Sequence, residues 1–189
     1  MLNWEELTKA CTECYRCELG KKRTNIVIGR GNREADLLMI GEGPGEQEDL
    51  SGLPFVGPAG KLLDTLLKAL LFKEDQYYIA NVVKCRPPGN RVPTDQEAEM
   101  CLPYLRNQVY LIKPKIIVCL GATAMKYVID RNAKITQIRG QWIEKKGYWI
   151  MPTFHPAALL RDETKKVLMW EDMKKVKQRM DYLCQNQSG

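Results

Sequence analysis

Two hydrophobic rhythms alternate along this chain, short unbroken apolar runs and longer stripes at helical spacing, and together they predict the order of its elements. Trp4, Leu7, Cys11 and Cys14 mark a first helix ending near a group of cysteines. Residues 25–28 (NIVI) and 36–40 (DLLMI) are closed by glycines and are expected as strands. Leu62, Leu63, Leu66, Leu67, Leu70 and Leu71 then trace one amphipathic helix, followed by a strand over residues 77–81. Thr94 and Glu97 form a capping box opening another helix, which Pro103 is expected to break or restart. Residues 115–120 read as a buried strand, with a helix from about Ala122 to Ile129 and a further strand over 147–151. Met169, Met173, Val176, Met180 and Leu183 give the last helix a core-facing stripe.

Strands alternating with helices predict an α/β fold, a single domain over residues 1–189 with a mostly parallel central sheet flanked by helices on both faces. In such sheets ligands sit beyond the carboxyl ends of the strands. The loop at 41–45, Asn81 and His155 each fall at or just past a predicted strand end, so three distant segments are expected to converge on one pocket.

Composition narrows the function classes. There are 29 Lys and Arg against 23 Asp and Glu, a formal net charge of +6, which favours a polyanionic partner without requiring one. The first ten residues lack a signal peptide's basic-then-apolar order, and no apolar run approaches the roughly 20 residues that span a bilayer, so a cytoplasmic protein with no membrane partner is expected. Seven cysteines in a reducing compartment point to metal rather than disulfides. Cys14 and Cys17 form a CxxC pair, Cys85 opens a Pro-rich loop and Cys101 sits on a predicted helix, so the four can form one thiolate site. Spacing does not separate zinc from [4Fe–4S], and Cys11 makes a second, overlapping CxxC with Cys14. Cys119 reads as strand core and Cys184 as an exposed thiol.

The loop at 41–45 (GEGPG) invites a phosphate-binding reading, but no helix is expected directly after it, and Glu42, Glu46, Glu48 and Asp49 would repel phosphates. Gly60 and Lys61 lack the rest of a Walker loop, because position 55 is Phe. A neutral, flat ligand held against backbone amides fits better. Phe55 is a candidate for stacking on a planar base or a core plug, and Asn81 for reading a base edge or capping a turn. His155, the sole histidine, stands between Phe154 and Pro156 as a structural or functional residue.

Residues 41–49 (GEGPGEQED), 55–60 (FVGPAG), 81–88 (NVVKCRPP) and 155–161 (HPAALLR), in this order and spacing, closely resemble the family 4 uracil-DNA glycosylases. The resemblance runs from the first CxxC nearly to the C-terminus. It implies a structural [4Fe–4S] cluster on Cys14, Cys17, Cys85 and Cys101, with Cys11 spare. It implies uracil seated between Phe55 and the backbone of Gly41, Glu42 and Gly43, with Asn81 reading its edge; excluding thymine's methyl then requires a wall, for which the stretch 45–48 is the candidate, Glu48 first. Neutral His155 is then expected to donate to the departing base. Family 1 enzymes carry Asp where this loop has Gly43, which leaves Glu42, Glu48 and Asn90 to position water. Leu159 and Leu160 are expected either to wedge into the gap left by a flipped nucleotide or to pack in the core, with Arg161 and nearby lysines on phosphates. Related enzymes that trap the abasic sugar carry an extra histidine after the Asn81 strand; none is present, so simple hydrolysis by a monomer on single- or double-stranded uracil-containing DNA is expected. The competing readings are a non-catalytic Cys-rich zinc or iron–sulfur nucleic-acid-binding module and an electron carrier.

Overall fold

Among the described residues six strands join into one sheet. The computed structural model describes residues 1–185, with the Cys184 side chain outside the description. Strands β1 (Arg30–Gly31), β2 (Leu37–Gly41), β3 (Tyr77–Asn81), β4 (Ile116–Leu120), β5 (Ile143–Lys145) and β6 (Tyr148–Thr153) lie in the order β1-β3-β2-β4-β6-β5. The inner four run parallel, and β1 and β5 are short antiparallel edges. The helices are α1 (Trp4–Thr12), α2 (Glu18–Lys22), α3 (Glu46–Ser51), α4 (Pro58–Ala69), α5 (Asp95–Ile112), α6 (Ala122–Val128), α7 (Ile135–Ile138), α8 (Pro156–Arg161) and α9 (Thr164–Gln185). No helix among the described residues is long and apolar enough to cross a membrane.

Successive strand side chains point to opposite faces, so each apolar run feeds two cores. Leu37, Met39, Ile79, Val118 and Met151 pack with Leu63 and Leu67 of α4 and Met169, Met173, Val176 and Met180 of α9. Leu38, Ile40, Ala80, Ile117 and Ile150 pack on the other side with Leu102 and Leu105 of α5 and Met125 of α6. Covering both faces is what allows strands with no polar alternation. Cys119 belongs to this core, fully buried as its strand position predicts.

Three expectations are corrected. Residues 25–28 form no strand: Val27 N donates to Lys84 O at 2.9 Å, and the Asp49 carboxylate accepts the N–H groups of Thr24 and Asn25, so one isolated backbone bond and side-chain tethers stand in place of a ladder. Pro103 does not break α5, because buried Ala98, Leu102, Leu105 and Ile112 hold the helix against the sheet on both sides of it. A helix does follow the 41–45 loop directly. It is α3, whose start is closed by Glu48 accepting from Gly45 N at 3.0 Å.

Candidate active site

The carboxyl ends of the parallel strands open into a cleft of about 860 Å³. Register explains the convergence: Gly41 of β2 lies beside Asn81 of β3, and Leu120 of β4 beside Thr153 of β6. From these ends the chain delivers Glu42 and Gly43, Asn81, Gly121 and Thr123, and Phe154 and His155 to the same walls.

Phe55 is buried, at 5 % exposed, with φ of 57°, a left-handed conformation that a bulky side chain adopts only when its surroundings enforce it. Gly60 helps to enforce it, since a Cβ there would fall on the Phe55 carbonyl. The Phe55 and His155 rings lie 5.6 Å apart, tilted by 31°. Asn81 is 2 % exposed, and its Oδ1 has no hydrogen-bond partner. Such a buried acceptor is costly unless a ligand donates to it.

His155 caps α8. Its Nδ1 accepts from Ala157 N at 3.1 Å, which in a neutral ring places the proton on Nε2. Burial first, then the positive charge of Arg161, push its pKa down to about 4, against an opposing pull from Glu48. The ring is therefore a neutral N–H donor at physiological pH.

The polar residues expected to position water are differently committed. Glu48 Oε1 accepts from Val56 N and Gly57 N, each at 2.9 Å, while Oε2 holds Gly45 N, so this carboxylate clamps the Phe55 loop to the Gly45 turn. Glu42 accepts from the Thr123 hydroxyl. Asn90 Oδ1 accepts from Arg86 Nε at 2.8 Å. Thr123 escaped the sequence reading; its signal is its place just beyond the end of β4, where the strand-end rule also applies.

At the rim Leu160 is 51 % exposed, whereas Leu159 is 1 % exposed. The expectation that both leucines wedge is corrected: successive residues of a helix point apart, and Leu159 faces the core around α9. Arg161 and Lys165 line the cleft mouth.

Cys14, Cys17, Cys85 and Cys101 line one small cavity together with Lys84 and Tyr104, and Cys11 is not among its lining residues. Cys11 is instead core, with burial raising its thiol to about 11. Two donors already point at the sulfurs: Arg23 Nη1 to Cys85 Sγ and Lys84 N to Cys101 Sγ, both at 3.3 Å. Among the described residues no three Cys, His, Asp or Glu groups are arranged to hold a metal ion. Four thiols with hydrogen-bond donors aimed at two of them are a donor set suited to metal-bound thiolates.

The model of the uracil DNA glycosylase superfamily matches residues 28–177, a span that holds the inner strands and the residues at their carboxyl ends. A type-4 uracil-DNA glycosylase of Thermotoga maritima is 43 % identical over 94 % of this chain and 96 % of its own length. Type-4 enzymes of Sulfurisphaera tokodaii and Saccharolobus solfataricus are 42 % and 41 % identical, over 92 % and 94 % of this chain and 83 % and 87 % of theirs. The chain belongs to the type-4 uracil-DNA glycosylases of that superfamily.

Proposed function

We propose that the cleft receives a uracil flipped out of DNA, stacks it on Phe55 and releases it from its sugar with water. The activity is that of a DNA-repair uracil-DNA glycosylase, which leaves an abasic site. The observation that carries the assignment of the pocket is the unpartnered Asn81 Oδ1 beside Phe55. A uracil N3–H satisfies it, while the Asn81 amide N–H group donates to O4. Cytosine presents an unprotonated N3 and an amino donor in those places, so both contacts turn repulsive.

In hydrolysis the bond between uracil N1 and the sugar C1′ breaks, its electron pair leaves with the base, and the water oxygen bonds to C1′. Charge grows on the uracil ring, and Nε2–H of neutral His155 donates to O2 to stabilise it. A neutral donor needs no proton uptake beforehand. For water we assign Glu42, held by Thr123, ahead of Glu48 and Asn90. Support comes from Glu48 already accepting three backbone N–H groups and from the engagement of Asn90 with Arg86. The water's proton passes to Glu42. Leu160 is assigned to the gap left by the flipped nucleotide, and Arg161 and Lys165 to its phosphates.

Cys14, Cys17, Cys85 and Cys101 are assigned as ligands of a structural [4Fe–4S] cluster, which when bound cross-links the segment after α1 to the Cys85 loop and α5. Purified protein is then yellow-brown; a colourless zinc protein contradicts the cluster. The test of function is incubation with single- and double-stranded oligonucleotides bearing one uracil, followed by alkali. Strand breakage at the uracil is expected, and its absence overturns the reading.

A further inference from the structure

Lys84 is buried to 1 % exposure, and its ammonium has no part in the chemistry above. Nζ donates at 2.6 Å to the Asn81 carbonyl and at 2.6 Å to Oε1 of Gln108. Both acceptors are neutral. Gln108 is itself fixed, with Nε2 donating to the Ile28 carbonyl at 2.9 Å, and α5 carries both Gln108 and Cys101. Lys84 lines the small cavity shared by Cys14, Cys17, Cys85 and Cys101, and its backbone N–H already donates to Cys101 Sγ.

A buried cation held by neutral acceptors alone is costly and calls for an anion nearby. Four cysteinates around a [4Fe–4S] cluster, or around zinc, carry net negative charge. Loading the cysteine site thus supplies what the ammonium lacks. The same ammonium grips the carbonyl of Asn81, the residue whose amide faces the proposed base pocket.

We propose that Lys84 is a positioning residue: its ammonium is the counter-charge of the loaded cysteine site and, through the Asn81 carbonyl, couples loading of that site to the placement of the base-reading amide. The proposal rests on the reading of the four cysteines as a metal centre. It accounts for a lysine where a buried apolar residue would pack at less cost.

The test compares as-purified wild type with Lys84→Met, which keeps the volume and removes the charge, and Gln108→Glu, which keeps the lysine and gives it a local carboxylate. Both variants should lose metal to a chelator roughly tenfold to a hundredfold faster. Both should shift the cluster's reduction potential to more negative values, because less positive charge then faces the reduced state. KM for a uracil oligonucleotide should rise more than kcat falls in Lys84→Met. Gln108→Glu carries the test alone if Lys84→Met does not fold. Unchanged metal-loss rates and potentials overturn the proposal. A colourless, zinc-loaded wild type overturns the cluster reading only, and chelator-driven zinc loss then decides the role of Lys84; wild type with no metal overturns both.

Discussion

Nδ1 of His155 accepts the backbone N–H of Ala157, so the helix that follows the histidine fixes its tautomer. As the only histidine in the chain, its ring gives one set of NMR signals. The ring should hold its proton on Nε2 at pH 7 and take up a second only near pH 4, because burial and Arg161 both disfavour the cation. Arg161→Gln should raise that pKa toward 6.5. A wild-type ring titrating at 6.5 contradicts the neutral-donor role.

The same shift makes stability depend on pH. The folded pKa lies below the unfolded value of about 6.5, so on acidification the unfolded chain binds the proton first. The stabilisation is complete above pH 6.5 and is lost as the pH falls toward 4, by at most about 3 kcal/mol. Chemical denaturation of wild type and His155→Gln across this window should show the extra slope only in wild type. At pH 7 His155→Ala should slow single-turnover release on the order of a hundredfold or more, with any cluster colour retained.

Leu159 and Leu160 separate packing from DNA contact. Leu159→Ala should cost about 2–5 kcal/mol of stability, as buried leucine truncations do. Leu160→Ala should stay within about 0.5 kcal/mol of wild type while reducing excision from duplex DNA more than from single strands, since only the duplex leaves a gap in a base stack. Equal losses on both substrates count against a wedge.

The inner strands and long helices were legible in the sequence because burial on both sheet faces leaves unbroken apolar runs and α4 and α9 keep a clear helical stripe. Residues 25–28 looked the same locally and formed no strand, because Asp49, a residue distant in sequence, tethers them. The short helices α3 and α8 were missed because six-residue helices leave too few repeats for a stripe to register. In the cleft, the convergence of the 41–45 loop, Asn81 and His155 was readable from their places at strand ends, whereas locally Phe55, Asn81 and His155 each read equally as structural residues and only the family resemblance gave them site roles. The Glu48 clamp and the Thr123 contact were not readable, since each depends on which backbone groups the fold brings beside a side chain.

Glu48 illustrates that dependence. Its carboxylate receives three N–H groups from two loops, and an amide offers one acceptor oxygen and turns an NH2 toward the remainder. Glu48→Gln should therefore destabilise the protein by about 1–3 kcal/mol and loosen the Phe55 loop. Hydrogen exchange at Val56 and Gly57 should accelerate. Unchanged protection there removes Glu48 as a clamp and returns it to the residues that hold water.

Gly41 tests the pocket itself. A Cβ at this position lies 2.6 Å from the Phe55 ring and closer still to Asn81 Oδ1. Neither neighbour is a free end: Phe55 is packed in the core in its left-handed conformation, and Asn81 is buried at the end of β3. Gly41→Ala must therefore push the stacking ring or turn the base-reading amide, and overpacking of this kind costs about 1–3 kcal/mol. Excision should suffer more than stability, because displacing a reacting group by about 1 Å can cost on the order of a hundredfold. The measurement is kcat/KM on a uracil oligonucleotide alongside Tm, with inhibition by free uracil as the binding readout. A variant that folds, excises and is inhibited like wild type would place the base elsewhere in the cleft.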